Sequence, residues 1–174
     1  MKKNRRIKFC IIACLSFISI FLLSSCDRSH ENITIEEQLL NEMKDTNIEV
    51  EEIIHLEVVN DGILVFYTKD NYLHDGFIKL KGAKWEWHSG GGSLPLQTDD
   101  GLNWTFTNFD DFFVRYGVIT NNKIKQVKDE ESDNAKIIQG EDGLRIYFFI
   151  NKSVLFDSKT MRTQFDKIVP VYEN

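Results

Sequence analysis

From about residue 50 to residue 151 the chain is written in short runs of alternating apolar and polar residues, each cut by a turn signal. Period-two alternation sends successive side chains to opposite faces, so such runs predict strands that each offer one face to a core. Ile53–Asn60, Ile63–Lys69, Tyr72–Lys81 and Ala83–His88 read as four strands of an antiparallel meander. Asp61-Gly62 and Lys81-Gly82 mark its tight turns. Just ahead of it, Thr34-Ile35-Glu36-Glu37 has the form of a capping box, with Thr34 as N-cap and Glu37 three residues on. Ile35, Leu39, Leu40 and Met43 then recur at helical spacing, which predicts an amphipathic helix over 35–45.

The stretch from Ser89 to Gly101 holds four of the ten glycines and one of the two prolines, and reads as a connector. Beyond it, Asn108 to Phe113 suggests a helical turn capped by Asn108. Strands are expected again at Arg115–Thr120, Lys123–Lys128, Ala135–Gln139, Leu144–Asn151, near Val154–Phe156 and at Lys167–Tyr172. Asp129–Asn134 forms a solvated loop between two of them. Tyr147-Phe148-Phe149-Ile150 does not alternate, which predicts a central strand covered on both faces. The fold class is therefore α+β and mainly antiparallel β. A helix with a four-strand meander (34–92) is followed by a linker (93–104) and a second β-rich unit, a small sandwich or meander (105–174).

Ahead of residue 34 the chemistry is different. Lys2, Lys3, Arg5, Arg6 and Lys8 precede the 15-residue apolar run Phe9–Leu23, and residues 1–25 contain no acidic side chain. The run is short for a bilayer span, which takes about 20 residues, and fits a signal-peptide core. Of 21 Lys and Arg five lie here, leaving 16 against 27 Asp and Glu, a charge near −11 for the rest. So acidic a body argues against nucleic acid, whose binding rests on cations at phosphates, and it would be repelled from an anionic lipid surface.

Leu23-Ser24-Ser25-Cys26 resembles the lipobox of bacterial lipoproteins. The resemblance implies residues 1–25 as signal peptide, cleavage between Ser25 and Cys26, a diacylglyceryl group on the Cys26 thiol, and a new N-terminus that can be acylated. Residues 26–33 then become a lipidated tether, and the partner of that end is the membrane. Two or more chains on one residue give stable attachment at about 0.8 kcal/mol per buried methylene. Cys10 and Cys14 would leave with the leader, so no disulfide is available to the exported fold. Trp85-Glu86-Trp87, Gly90-Gly91-Gly92 and Tyr116-Gly117-Val118-Ile119 further resemble a pattern in small exported lipoproteins of Gram-positive bacteria, a family without an assigned activity.

Candidate chemistry is sparse. His30, His55, His74 and His88 show no pairing at metal-ligand spacing, so no metal or cofactor is expected. His88-Ser89 with the following glycines is similar to an esterase oxyanion loop, but the chain has no G-x-S-x-G nucleophile elbow, and no catalytic residue is assigned. Asp99-Asp100, Asp110-Asp111 and Glu130-Glu131-Asp133 read as solvated turns. Trp85 and Trp87 share one strand face, where they either stack on a ligand or supply the core. The expectation is a membrane-anchored module facing outside the cytoplasm that binds envelope protein or polysaccharide. The alternative is a carboxylate-based hydrolase of envelope material, whose acid would show a raised pKa. A small-solute receptor is a third reading.

Overall fold

The computed structural model describes residues 34–82, 84–129, 133–140, 142–152 and 168–173. The described residues from Gln38 onward cluster as one compact unit. Cys26, Ser25, His30 and the strand expected near Val154–Phe156 lie outside the described residues.

The helix α1 (Ile35–Asp45) falls where its pattern places it. Its capping box closes both ways, with Glu37 N donating to Thr34 Oγ1 at 3.1 Å and Thr34 N to Glu37 Oε2 at 2.9 Å. At the other end Asn47 takes a left-handed φ of 60°. Asn47 N donates to Lys44 O and Ile48 N to Met43 O, a Schellman ending that satisfies the last carbonyls. Leu39 and Met43 are buried, whereas Ile35 and Leu40 stay exposed, so the apolar stripe is narrower than the sequence suggests.

Ten strands follow. β1 (Glu52–Val59), β2 (Gly62–Lys69), β3 (Tyr72–Lys81) and β4 (Lys84–Pro95) form an antiparallel meander in sequence order. A second sheet runs β5-β6-β9-β8, from Thr105–Asn108, Phe112–Ile119, Arg145–Lys152 and Lys136–Gln139. β7 (Ile124–Lys128) pairs with β10 (Val169–Tyr172) as a separate ribbon. The α+β class, mainly antiparallel, is the one the alternation implies.

Alternation in both sheets feeds two cores at once. Leu64, Phe66, Leu73 and Phe77 of the first sheet meet Val114, Tyr116, Val118, Ile146 and Phe148 of the second in one shared core. On the far side of the first sheet, Val65, Tyr67 and Ile78 pack under Leu39 and Met43 of the helix. On the far side of the second, Tyr147 and Phe149 join Ile124 and Val127 of the ribbon strand β7. The result is four layers: helix, sheet, sheet, ribbon. β6 is buried along its whole length, and β9 is central as its unbroken aromatic run predicts.

Three local expectations shift. The first hairpin turns at Asn60-Asp61 rather than Asp61-Gly62, with Asn60 at φ 52° and Gly62 already paired to Val59. Asn108–Phe113 makes no helical turn; Asn108 pairs with Phe113, Phe109 N donates to Phe112 O at 2.8 Å, and Asp110-Asp111 is the hairpin tip. Phe109 and Phe112 turn inward onto Phe77, with ring centroids 5.0–5.6 Å apart, which holds that tip against the first sheet. Finally, β4 does not stop at His88 but continues through Gly90–Gly92 to Pro95, so Ser93–Pro95 of the expected linker is strand.

That continuation has a steric cause. Between His74 and Gly76 of β3 stands the single residue Asp75; between their β4 partners Ser93 and Ser89 stand three, Gly90 to Gly92. The glycines form a bulge around Asp75. A Cβ on Gly90 would lie 1.8 Å from Asp75 Oδ1, closer than any side chain permits.

Candidate functional site

The W-x-W pair lies on the helix side of β4. Trp85 and Trp87 are half-buried in the cluster beneath α1. Trp85 Nε1 donates to Gln38 Oε1 of the helix at 2.9 Å, and Trp87 Nε1 to Ser89 Oγ at 3.1 Å. The Trp87 ring lies so close over Gly76 that a Cβ there would come within 2.1 Å of it. In this arrangement the tryptophans fasten helix to sheet.

On the opposite face, β3, β4 and the β5–β6 tip enclose a cleft of about 170 Å³. Its floor is the Phe77–Phe109–Phe112 cluster, and its polar wall is Lys79, His88, Asn108, Asp110 and Asp111. Lys79 Nζ bridges Asp61 at 3.0 Å and Asp111 at 3.3 Å, and those two carboxylates hold its ammonium above the usual value. The structure thus gathers two motifs that stand apart in sequence, His88-Ser89 and Asp110-Asp111, and leaves Asp99-Asp100 out. His88 and Ser89 make no nucleophilic dyad. As consecutive strand residues they point to opposite faces, and Ser89 Oγ is already engaged by Trp87.

A second cleft, of about 330 Å³, lies where Glu57 of β1 approaches Lys136 of β8, with Asp129, Asp133 and Asn134 beside it. Glu57 accepts from Lys136 and, at 2.8 Å, bonds the His55 ring. Burial alone would push its carboxyl up, but the bonds from Lys136 and His55 outweigh that and hold it low. A general acid needs the reverse. Behind it Arg115 and Asp129 form a buried ion pair at 2.8 Å, with the guanidinium 4.9 Å over the Phe149 ring. Asp129 Oδ1 also accepts from Asp133 N at 2.9 Å. His74 stacks on Tyr67 at 5.3 Å, and burial pulls its pKa down. Among the described residues no three metal-binding side chains are grouped.

The carboxyl pushed up is Asp75, raised by burial to about 6 and partly pulled back by its bonds from Thr107 and Tyr116. It lines neither cleft. Thr107 Oγ1 and Tyr116 OH both donate to its Oδ1 at 2.9 Å, and Gly91 N donates to Thr107 Oγ1 at 3.1 Å. The Tyr116 phenol is pushed far up, first by burial and then by Asp75. The sequence carried a signal for this hub, an aspartate at the strand position between Leu73 and Phe77 on one face and three consecutive glycines, but not the pairing that joins them.

The chain matches no protein-family model, no curated protein and no solved structure. The fold and its sites therefore stand on their own geometry.

Proposed function

We propose that the chain is an extracytoplasmic lipoprotein, anchored through lipid on Cys26, that serves as a non-catalytic binding module for hydroxyl-rich envelope polysaccharide. The observation that carries this reading is the cleft beside β4. His88, Asn108 and Asp110 supply donors and acceptors with no hydrogen-bond partner among the described residues, above an aromatic floor. Planar polar groups of both kinds suit vicinal hydroxyls, which donate and accept together. At about 170 Å³ the cleft is smaller than pockets for drug-sized ligands, so it takes one ring of a longer chain. Trp85 and Trp87, for which the sequence leaves ligand stacking and core packing open, pack under the helix and are not part of the proposed surface.

Binding of the mature protein to solubilised wall polysaccharide tests the cleft. Asp110→Ala and His88→Ala should each weaken binding about tenfold, the loss of roughly one good polar contact, with melting unchanged. Unaltered binding in both would overturn the reading. Cys26→Ala should abolish lipid labelling and leave the precursor unprocessed; normal processing would sink the anchor.

A further inference from the structure

Asp75 presents a chemistry the binding cleft does not use. Its side chain is 1% exposed, on the inner face of β3 between Leu73 and Phe77, and it faces the second sheet. Both hydrogen bonds reach Oδ1, while Oδ2 is buried with no partner among the described residues. A buried charge is normally paired, because leaving water costs several kcal/mol.

The groups around it are neutral. From β4 come Gly90 and Gly91, from β5 Thr107, and from β6 Tyr116. From β2 come Phe66, its register partner, and the phenol of Tyr67, pushed up to about 12 by burial and then by Asp75. Of the nearby histidines, His74 stacks on Tyr67 at the other face of β3, and His88 lies opposite Phe77 in the cleft wall. No lysine, arginine or histidine among the described residues forms an ion pair with Asp75.

We propose that Asp75 is a proton-operated latch between the two sheets, closed when its carboxyl is protonated and loosened when it ionises. Protonation leaves Oδ1 free to accept from Thr107 and Tyr116 and removes a charge that nothing in the seam compensates. Ionisation leaves that charge in a dry interior, and the strain falls on the elements that enclose it, the Gly90–Gly92 bulge and β5. Because the folded pKa lies above the unfolded one, the latch stabilises fully at pH below about 4. That contribution is lost as pH rises through about 6. His74, held low by burial, acts with the opposite sign, stabilising above its unfolded pKa and losing that as pH falls. A comparison of wild type with an Asp75 variant separates the two.

The test is thermal unfolding of the mature protein from pH 5 to 7.5, for wild type and Asp75→Asn. Relative to Asp75→Asn, wild type should lose about 3–6 °C, with the fall running from pH 5 and levelling off above about pH 6. Parallel profiles in the two proteins would overturn the latch. Should Asp75→Asn fail to fold, Tyr116→Phe decides: it removes one donor from the ionised form, so the pH at which the fall levels off should move upward. An unmoved levelling point would overturn the proposal.

Discussion

Among the described residues two carboxylates are buried, and they are settled in opposite ways. Asp129 lies against the guanidinium of Arg115 on the ribbon side of the second sheet, a permanent countercharge 2.8 Å away. Asp75 lies between the sheets with two hydroxyls and no cation. Both are at least nineteen-twentieths buried, at 4% and 1% exposure, so the desolvation is similar and the partners make the difference. A guanidinium keeps its charge at any pH at which the fold exists, so the Asp129 site is a fixed strut. Hydroxyls stabilise a carboxylate without neutralising it, so the Asp75 site answers to protons.

The largest effect is expected at the strut. Arg115→Met takes the guanidinium away from the buried Asp129 carboxylate and should cost about 3–5 kcal/mol of unfolding free energy by urea titration, the usual loss when one partner of a buried pair is removed. A cost under about 1 kcal/mol would mean that water reaches the pair. Next comes the bulge. Gly90→Ala forces a methyl against Asp75 Oδ1 and should destabilise by about 1–3 kcal/mol, the ordinary cost of overpacking. Its effect should be larger at pH 7.5 than at pH 5 if the crowded oxygen is charged there. Trp87→Ala unroofs Gly76 under the helix; the ring is half-buried, so about 2–3 kcal/mol is expected, less than for a fully buried aromatic. The smallest change belongs to Asp110→Ala, at the hairpin tip, which should stay within about 0.5 kcal/mol.

What the sequence revealed of this architecture follows the range of the interactions. The helix, its capping box and nine strand positions were legible because each rests on local periodicity within a few residues. The central place of Tyr147–Ile150 was legible for the same reason. Gly90–Gly92 misled because a glycine run has two physical meanings, freedom in a loop and room in a packed interface. Only the partner, Asp75 on the neighbouring strand, distinguishes them. Phe109-Asp110-Asp111-Phe112 misled similarly, since its spacing suits one helical turn as well as a hairpin whose two rings face Phe77. The two halves also share a core that no local pattern could announce. Of the cleft, the polar residues were visible singly, and their convergence was not.

The most direct measurement is the titration of the Asp75 side-chain carboxyl carbon by NMR in the full mature protein, with aspartate labelled and Asp75→Asn used to assign the resonance. A midpoint near 6 is expected, well above an ordinary aspartate, with the Gly91 amide shifting over the same range as its bond to Thr107 responds. A midpoint near 4, with a silent Gly91 amide, would show that the seam tolerates the charge and contradict the latch.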